Sequence, residues 1–172
     1  AGLSNSSDGD VTVHHGDTLN YDCWIVKLNN AGMLEWEKSL GGSNNDFAST
    51  IKQTTDGGYI VGATSQSNNG DVSGHHGDSL TRDYWVVKLD PSGSVDWQKS
   101  LGGSFDDVSS SILQTNDNGY LLIGSSVSDD GDVTGHHGST EYNDVWVIKL
   151  SSSGTLDWQK SFGGSNREDG RS

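Results

Sequence analysis

Short apolar runs separated by Gly, Ser, Asn and Asp follow one another along the whole chain. The run from Asp83 to Leu89 is rich in β-branched and aromatic residues, and the run from Ser94 to Leu101 alternates apolar and polar positions, so both are typical of strands. The runs from Val108 to Gln114 and from Tyr120 to Gly124 predict two further strands. No segment shows helical periodicity over a useful length, and the pattern therefore predicts an all-β protein.

The same pattern recurs with a fixed period of 61 residues. A fixed period of this size is typical of repeat architectures, in which each unit packs on its neighbours. Each unit carries two tryptophans and a His-His-Gly triplet, which stand at Trp24, Trp36, Trp85, Trp97, Trp146 and Trp158 and at residues 14–16, 75–77 and 136–138.

Four short strands joined by tight turns, with one longer connection before the next unit, predict antiparallel blades of a β-propeller. We expect the first strand of each unit, which has a nearly continuous apolar run, to lie innermost. The chain holds about two and a half to three such blades, whereas known propellers have about four to eight, so the ring is incomplete. The predicted divisions are a connection at 1–20 that includes the end of a preceding fourth strand, blade 1 at 21–66, a connection at 67–82, blade 2 at 83–127, a connection at 128–143, and the first half of blade 3 at 144–172.

Two ways of completing the ring remain open from the sequence. One is that the chain is a piece of a longer protein. The other is that copies of it associate, because an unpaired second strand in the third unit would present an exposed edge.

The run from Asp83 to Ser104, DYWVVKLDPSGSVDWQKSLGGS, resembles the repeat arrays of bacterial secreted propeller proteins, which look typical of large surface proteins of the Bacteroidetes type. The resemblance covers essentially the whole chain. It implies a propeller fold and an extracellular or cell-surface location.

Two hairpin segments, Thr54 to Tyr59 and Thr115 to Tyr120, resemble the Asp box of sialidase-type propellers. In that family the aspartate caps its own turn through backbone N–H groups. The resemblance implies a structural hairpin and no sialidase activity, because the three arginines, Arg82, Arg167 and Arg171, do not recur in register.

Composition and charge restrict the partners. Of the 172 residues, 30% are hydrophobic, and the formal net charge is −14, which disfavours nucleic acid and anionic membrane surfaces. No apolar stretch approaches the ~18–20 residues of a membrane span. The first residues show no basic region followed by an apolar run, so we expect no signal peptide within them. Cys23 is replaced by Tyr84 and Val145 in the sister units, so we expect it to pack in the core.

Oxygen-rich Asp-Gly-Asp or Asn-Gly-Asp turns precede each His-His-Gly triplet. Ca²⁺ takes about six to eight oxygen ligands, and the aspartate before the first strand of each unit is placed to add one. The alternative is that these side chains cap only local backbone N–H groups. The candidate calcium ligands are Asp8, Asp10, Asp22, Asn69, Asp71, Asp83, Asp130, Asp132 and Asp144.

All six histidines lie in the long connections. Strand parity places these connections at the same end of the sheets as the Gly-Gly-Ser turns, which predicts a ligand rim. Neighbouring side chains on an extended backbone point in opposite directions, so adjacent histidines rarely chelate one ion. The alternative is that the histidines only order the loop. The candidate rim residues are His14, His15, His75, His76, His136, His137, Asp46 and Asp107.

Every candidate group recurs in each unit, whereas an enzyme needs an asymmetric set of roles. We therefore expect no catalytic residues, and a non-catalytic extracellular module that acts as a structural or adhesive segment of a surface protein or fibre. Its expected partners are other copies of itself or the rest of a longer chain. A calcium-dependent glycan-binding propeller is the alternative, and part of a propeller enzyme is a third possibility.

Overall fold

The computed structural model describes residues 1–171, and these contain eleven β-strands and no helix. The predicted all-β class is therefore confirmed. No element that the structure describes is a helix able to cross a membrane. The strands are β1 (Gly2–Ser4), β2 (Asp22–Leu28), β3 (Leu34–Leu40), β4 (Asp46–Gln53), β5 (Tyr59–Ser65), β6 (Asp83–Leu89), β7 (Val95–Leu101), β8 (Asp107–Gln114), β9 (Tyr120–Ser126), β10 (Asp144–Leu150) and β11 (Leu156–Phe162).

The strands form three open antiparallel sheets. Sheet 1 has the order β1-β2-β3, sheet 2 has the order β4-β5-β6-β7, and sheet 3 has the order β8-β9-β10-β11. Each strand of sheet 3 begins 61 residues after its counterpart in sheet 2, which matches the period of the sequence.

The sheets divide the chain differently from the predicted blades. In sheet 2, β5 pairs with β6, with Tyr59 opposite Leu89 and Ser65 opposite Asp83. The ranges 21–66 and 83–127 therefore mark sequence repeats and not sheets. The strand expected to be innermost, β6, lies third in its sheet between β5 and β7. The reason is that the long connection returns the chain antiparallel to β5, whereas the short Gly-Gly-Ser turn carries it into the next sheet.

The sheets stack face to face, with one apolar cluster between each adjacent pair. Along β6, Tyr84 and Val86 belong to the cluster shared with sheet 3, while Trp85 and Val87 belong to the cluster shared with sheet 1. Because both faces of this strand are covered, its sequence is a continuous apolar run instead of an alternating one.

The position occupied by Cys23, Tyr84 and Val145 shows how the units differ in packing. Cys23 and Tyr84 are fully buried, as expected for core residues, and burial raises the pKa of the Cys23 thiol. Tyr84 lies 4.6 Å from Trp146 between ring centroids, and its hydroxyl donates to the Trp146 carbonyl over 3.2 Å. A methyl group on Gly124 would come within 2.5 Å of that hydroxyl. The sister of Gly124 is Ala63, which shares a cluster with the smaller Cys23.

The hairpin turns behave as the Asp-box resemblance implies. The Asp56 carboxylate accepts from the Gly58 N–H over 3.0 Å and from the Thr54 hydroxyl, so it caps its own turn. It also lies 3.0 Å from the ammonium of Lys88, a residue that is 4% exposed. These hydrogen bonds, from Thr54 first and then Lys88, lower the pKa of Asp56 to about 2. The turn therefore holds a buried lysine of β6.

Candidate functional site

The His-His-Gly connections and the Gly-Gly-Ser turns meet at one end of the sheets. Gly77 has a φ of +73° and lies so close to the backbone of Ser104 that a Cβ there would stand 2.8 Å from the Ser104 carbonyl oxygen. Gly16 meets Ser43 in the same manner, at 2.9 Å. The shared end that strand parity predicted is therefore confirmed, and glycine is required in the triplet by this close approach.

The second histidine of each triplet is held by the first residue of a strand. The Asp83 Oδ2 atom accepts from the backbone N–H of His76 over 2.8 Å and lies 2.8 Å from His76 Nδ1. A carboxylate only accepts hydrogen bonds, so Nδ1 is the donor. The corresponding distances are 2.7 and 2.9 Å for His15 and Asp22, and 2.9 and 2.7 Å for His137 and Asp144. We refer to these three as the His–Asp pairs.

The first histidine of the triplet approaches the same carboxylate. The His75 side chain is 3% exposed, with Nε2 3.0 Å from the Asp78 carbonyl and Nδ1 3.6 Å from Asp83 Oδ1. Within residues 1–171, neither His75 Nδ1 nor Asp83 Oδ1 has a hydrogen-bond partner. The expectation that adjacent histidines diverge is wrong here, because the triplet lies in an irregular loop and not in an extended strand.

A second buried carboxylate stands beside the first two pairs, at the start of the next sheet. Asp107 Oδ2 accepts from the Gly103 N–H over 2.8 Å and from the Ser128 hydroxyl over 3.1 Å. A methyl group on Gly102 would meet Asp107 Oδ2 at 2.5 Å and Asp83 Oδ1 at 2.8 Å, so the two carboxylates flank this glycine.

Burial has a strong effect on these carboxylates. It raises the pKa of Asp107 to about 7 and that of Asp46 to about 6, although hydrogen bonds from serine hydroxyls and a glycine N–H oppose the shift. Burial also raises the pKa of Asp83, and the hydrogen bonds from His76 oppose it.

The predicted ligand rim is therefore mostly buried. Asp46 and Asp107 are 0% exposed, and the side chains of His14, His75 and His136 are 2–3% exposed. The first histidine of each triplet is enclosed by its own connection and strand, since the His136 side chain is buried although no sheet follows sheet 3 among the described residues. The sequence pattern does not reveal this burial. The serines that bind these carboxylates were not singled out from the sequence, although they recur in register at Ser65, Ser67, Ser126 and Ser128.

The candidate calcium ligands of one unit are not brought together with each other. The Asp71 N–H donates to the Gly41 carbonyl over 2.9 Å, and Asp71 Oδ2 accepts from the Gly41 N–H over 3.2 Å. Asp71 thus lies against sheet 1, 3.5 Å from His15 Nε2, while Asp83 of its own unit binds His76.

Three more of the candidate calcium ligands also contact the preceding sheet. Asn69 and Asp130 accept from the N–H groups of Ser43 and Ser104 over 2.8 and 2.7 Å, and Asp132 lies against Gly102. Asp8 and Asp10 are exposed. Over the described range, no three His, Cys, Asp or Glu side chains are arranged to hold one metal ion.

The His–Asp pairs resemble only part of a catalytic relay. In such a relay the far nitrogen of the imidazole activates a hydroxyl or thiol. Here the nearest acidic partner of His76 Nε2 is Asp132 Oδ2 at 3.8 Å, and no hydroxyl or thiol is hydrogen-bonded to it among the residues described. The arrangement orients a loop and holds a buried charge.

No protein-family model matches this chain, and no curated protein matches it.

Proposed function

We propose that the chain is a non-catalytic repeat module that serves as a structural or adhesive segment of a surface protein or fibre, with its stacked sheets acting as propeller-type blades. One observation carries this proposal. All three His-His-Gly connections use the same polar groups for the same internal hydrogen bonds, at distances that agree within about 0.2 Å.

The energetic role of the His–Asp pairs supports a structural function. Each pair supplies two hydrogen bonds to a carboxylate, and a hydrogen bond to a charged group contributes about 1.5–3 kcal/mol. The carboxylate belongs to the first residue of an interior strand, and its partner lies in a long loop. The pair therefore fixes the loop to the sheet, which reduces the conformational freedom of an otherwise Gly-rich segment.

The joints between sheets support the same proposal. Asp71 bonds to Gly41, and Asp132 bonds to Gly102 through the same backbone atoms, over 2.9 and 2.8 Å. Because each joint combines these bonds with an apolar cluster, adjacent sheets are held as one stiff stack. A stiff stack of similar units suits a spacer or scaffold better than a site that must open for a substrate.

Location and partners follow from the resemblance to bacterial secreted propeller arrays. We propose an extracellular or cell-surface location, and partners that are other repeats of the same kind. Calcium-dependent glycan binding is the competing function, and it requires that the His-His-Gly connections remain available to a ligand.

The two functions are separated by the variant His76→Ala. We expect this variant to unfold at lower denaturant concentration than the wild type, and the wild type to retain no sugar on a glycan array with or without Ca²⁺. The matched control is Lys99→Ala, which changes an exposed residue of β7 that lines the same surface groove as His76. Calcium-dependent glycan binding that is lost in a His76→Ala variant of unchanged stability would overturn the proposal.

A further inference from the structure

Neighbouring sheets are joined twice within the chain by an aromatic contact of the same kind. Gly93, in the turn between β6 and β7, lies on the ring of Trp36 in sheet 1, where a methyl group would stand 3.1 Å from Trp36 Cε3. Gly154 lies on Trp97 in the same way, at 2.9 Å. Both glycines have a φ of +81°. A tryptophan of one sheet is thus covered by the glycine turn of the next.

Polar contacts accompany each aromatic contact. Between sheets 2 and 3, the Gly102 carbonyl accepts from the Asp132 N–H over 2.8 Å, and the Ser104 N–H donates to Asp130 Oδ1 over 2.7 Å. His76 Nε2 lies 3.8 Å from Asp132. The equivalent contacts between sheets 1 and 2 involve Gly41, Asp71, Ser43, Asn69 and His15.

The sister groups on sheet 3 are uncovered, and we call them the trailing face: Trp158, Phe162, His137, the Gly163 carbonyl and the Ser165 N–H. Trp158 is 44% exposed and Phe162 is 55% exposed, whereas Leu101, the sister of Phe162, is 0% exposed. The side chain of His137 is 50% exposed, compared with 33% for His76. In the part of the chain described, the Gly163 carbonyl and the Ser165 N–H have no hydrogen-bond partner.

Sheet 1 carries the complementary groups, which we call the leading face: the turn at Gly32, with Leu28, Asp8 and Asp10. Gly32 has a φ of +75°, and a methyl group there would meet nothing within 4 Å. Leu28 is 55% exposed, whereas its sister Leu89 is 0% exposed. Asp8 and Asp10 occupy the positions of the residues that bond to the preceding sheet in the other units.

We propose that copies of this chain associate head to tail, with the leading face of one copy covering the trailing face of another. The turn at Gly32 covers Trp158, and Asp8 and Asp10 receive the Ser165 N–H and approach His137, as their sisters do inside the chain. A second copy is thus the partner of the structural module, and this inference rests on the structural function proposed above. Such an interface is heterologous and leads to rings or open filaments.

The first test is the mass of the wild-type chain in solution, measured by sedimentation velocity and light scattering over a wide concentration range. We expect the weight-average mass to rise with concentration to at least twice the 18.3 kDa of the monomer. Both copies carry a net charge of −14, so added salt strengthens the association by screening their repulsion. A mass that stays at that of the monomer at every concentration and salt level overturns the proposal.

Two variants test the geometry. Trp158→Ser removes the exposed ring of the trailing face. Gly32→Asn places a side chain where Gly93 and Gly154 leave no room, and asparagine tolerates this backbone, since Asn118 has a φ of +64°. We expect each variant to remain monomeric. The matched control is Gly57→Asn, at the sister position of Asn118, which should associate like the wild type.

Mixing the two variants identifies the mode of association. Trp158→Ser keeps an intact leading face and Gly32→Asn keeps an intact trailing face, so an equimolar mixture should form dimers and nothing larger. Association of either variant alone at the level of the wild type, or no dimers in the mixture, contradicts the head-to-tail interface. Neither result bears on the His76→Ala test, so this inference and the structural function fail separately.

Discussion

The substitution Asp83→Ala tests the structural role of the His–Asp pairs most sharply. Asp83 is 0% exposed and accepts two hydrogen bonds from His76, one from the backbone N–H and one from Nδ1, each over 2.8 Å. Alanine removes Oδ2, the atom that accepts both bonds. It leaves the backbone N–H of a half-buried loop without its partner at the start of β6.

The expected loss of stability follows from these two bonds. Hydrogen bonds to a charged group contribute about 1.5–3 kcal/mol each. Desolvation already disfavours the Asp83 carboxylate, which is why burial raises its pKa, and this offsets part of the gain. We therefore expect Asp83→Ala, which removes two such hydrogen bonds, to lower the free energy of unfolding by about 3 kcal/mol.

The assay is equilibrium unfolding in urea, followed by tryptophan fluorescence and by circular dichroism. The matched control is Asp90→Ala, which removes a carboxylate that also accepts two backbone N–H bonds, from Ser92 and Ser94 over 2.8 and 2.9 Å, but in an exposed turn. We expect a much smaller loss for the control. A loss for Asp83→Ala no larger than that for Asp90→Ala would refute the reasoning.

Three further predictions concern pH, packing and calcium. In the folded protein the pKa of Asp107 is about 7 and that of Asp46 about 6, above the ordinary value of 3.8, so the stability that these groups contribute is present below pH 4 and is lost as the pH rises towards 7. Urea titrations should show the free energy of unfolding falling across this window, by up to about 4 kcal/mol from Asp107. The variant Asp107→Asn should show a weaker dependence of stability on pH. Gly124→Ala should cost about 1–3 kcal/mol, because a methyl group there would clash with the Val108 carbonyl oxygen and stand 2.5 Å from the Tyr84 hydroxyl. The double variant with Tyr84→Cys should recover only the part of that loss that comes from Tyr84, and purely additive losses in the double-mutant cycle would argue against this contact. After chelation, Ca²⁺ should leave the melting temperature unchanged, because Asp71 and Asp130 already accept N–H groups of the preceding sheet, and a large upward shift would make the oxygen-rich turns metal sites.

The strands could be predicted from the sequence because their signal is local. The run from Asp83 to Leu89 is a strand with the predicted bounds, and Tyr120 to Gly124 lies within β9. Sheet membership could not be predicted in this way. A repeat unit has the same sequence whether its first two strands share a sheet with the third and fourth strands of its own unit or with those of the preceding one. The choice depends on hydrogen bonds across a long connection, as between Ser65 and Asp83.

Local sequence signals also predicted part of the candidate site. Strand parity places His76 near the Gly-Gly-Ser turn, and the structure confirms this placement. Burial of Asp107 could not be predicted, because it results from the stacking of whole sheets. The partner of Asp71 could not be predicted either, because that turn crosses to sheet 1 and bonds to Gly41.

The most direct measurement of the central claim is amide hydrogen exchange at the second histidine of each triplet, observed by NMR. If the His–Asp pairs hold the connections to the sheets, the amides of His15, His76 and His137 exchange as slowly as those of the adjacent strands β2, β6 and β10, because each donates to a buried carboxylate. Exchange at the rate of an unprotected loop amide, while the strands remain protected, would show that the connections are free to open and would contradict the structural role.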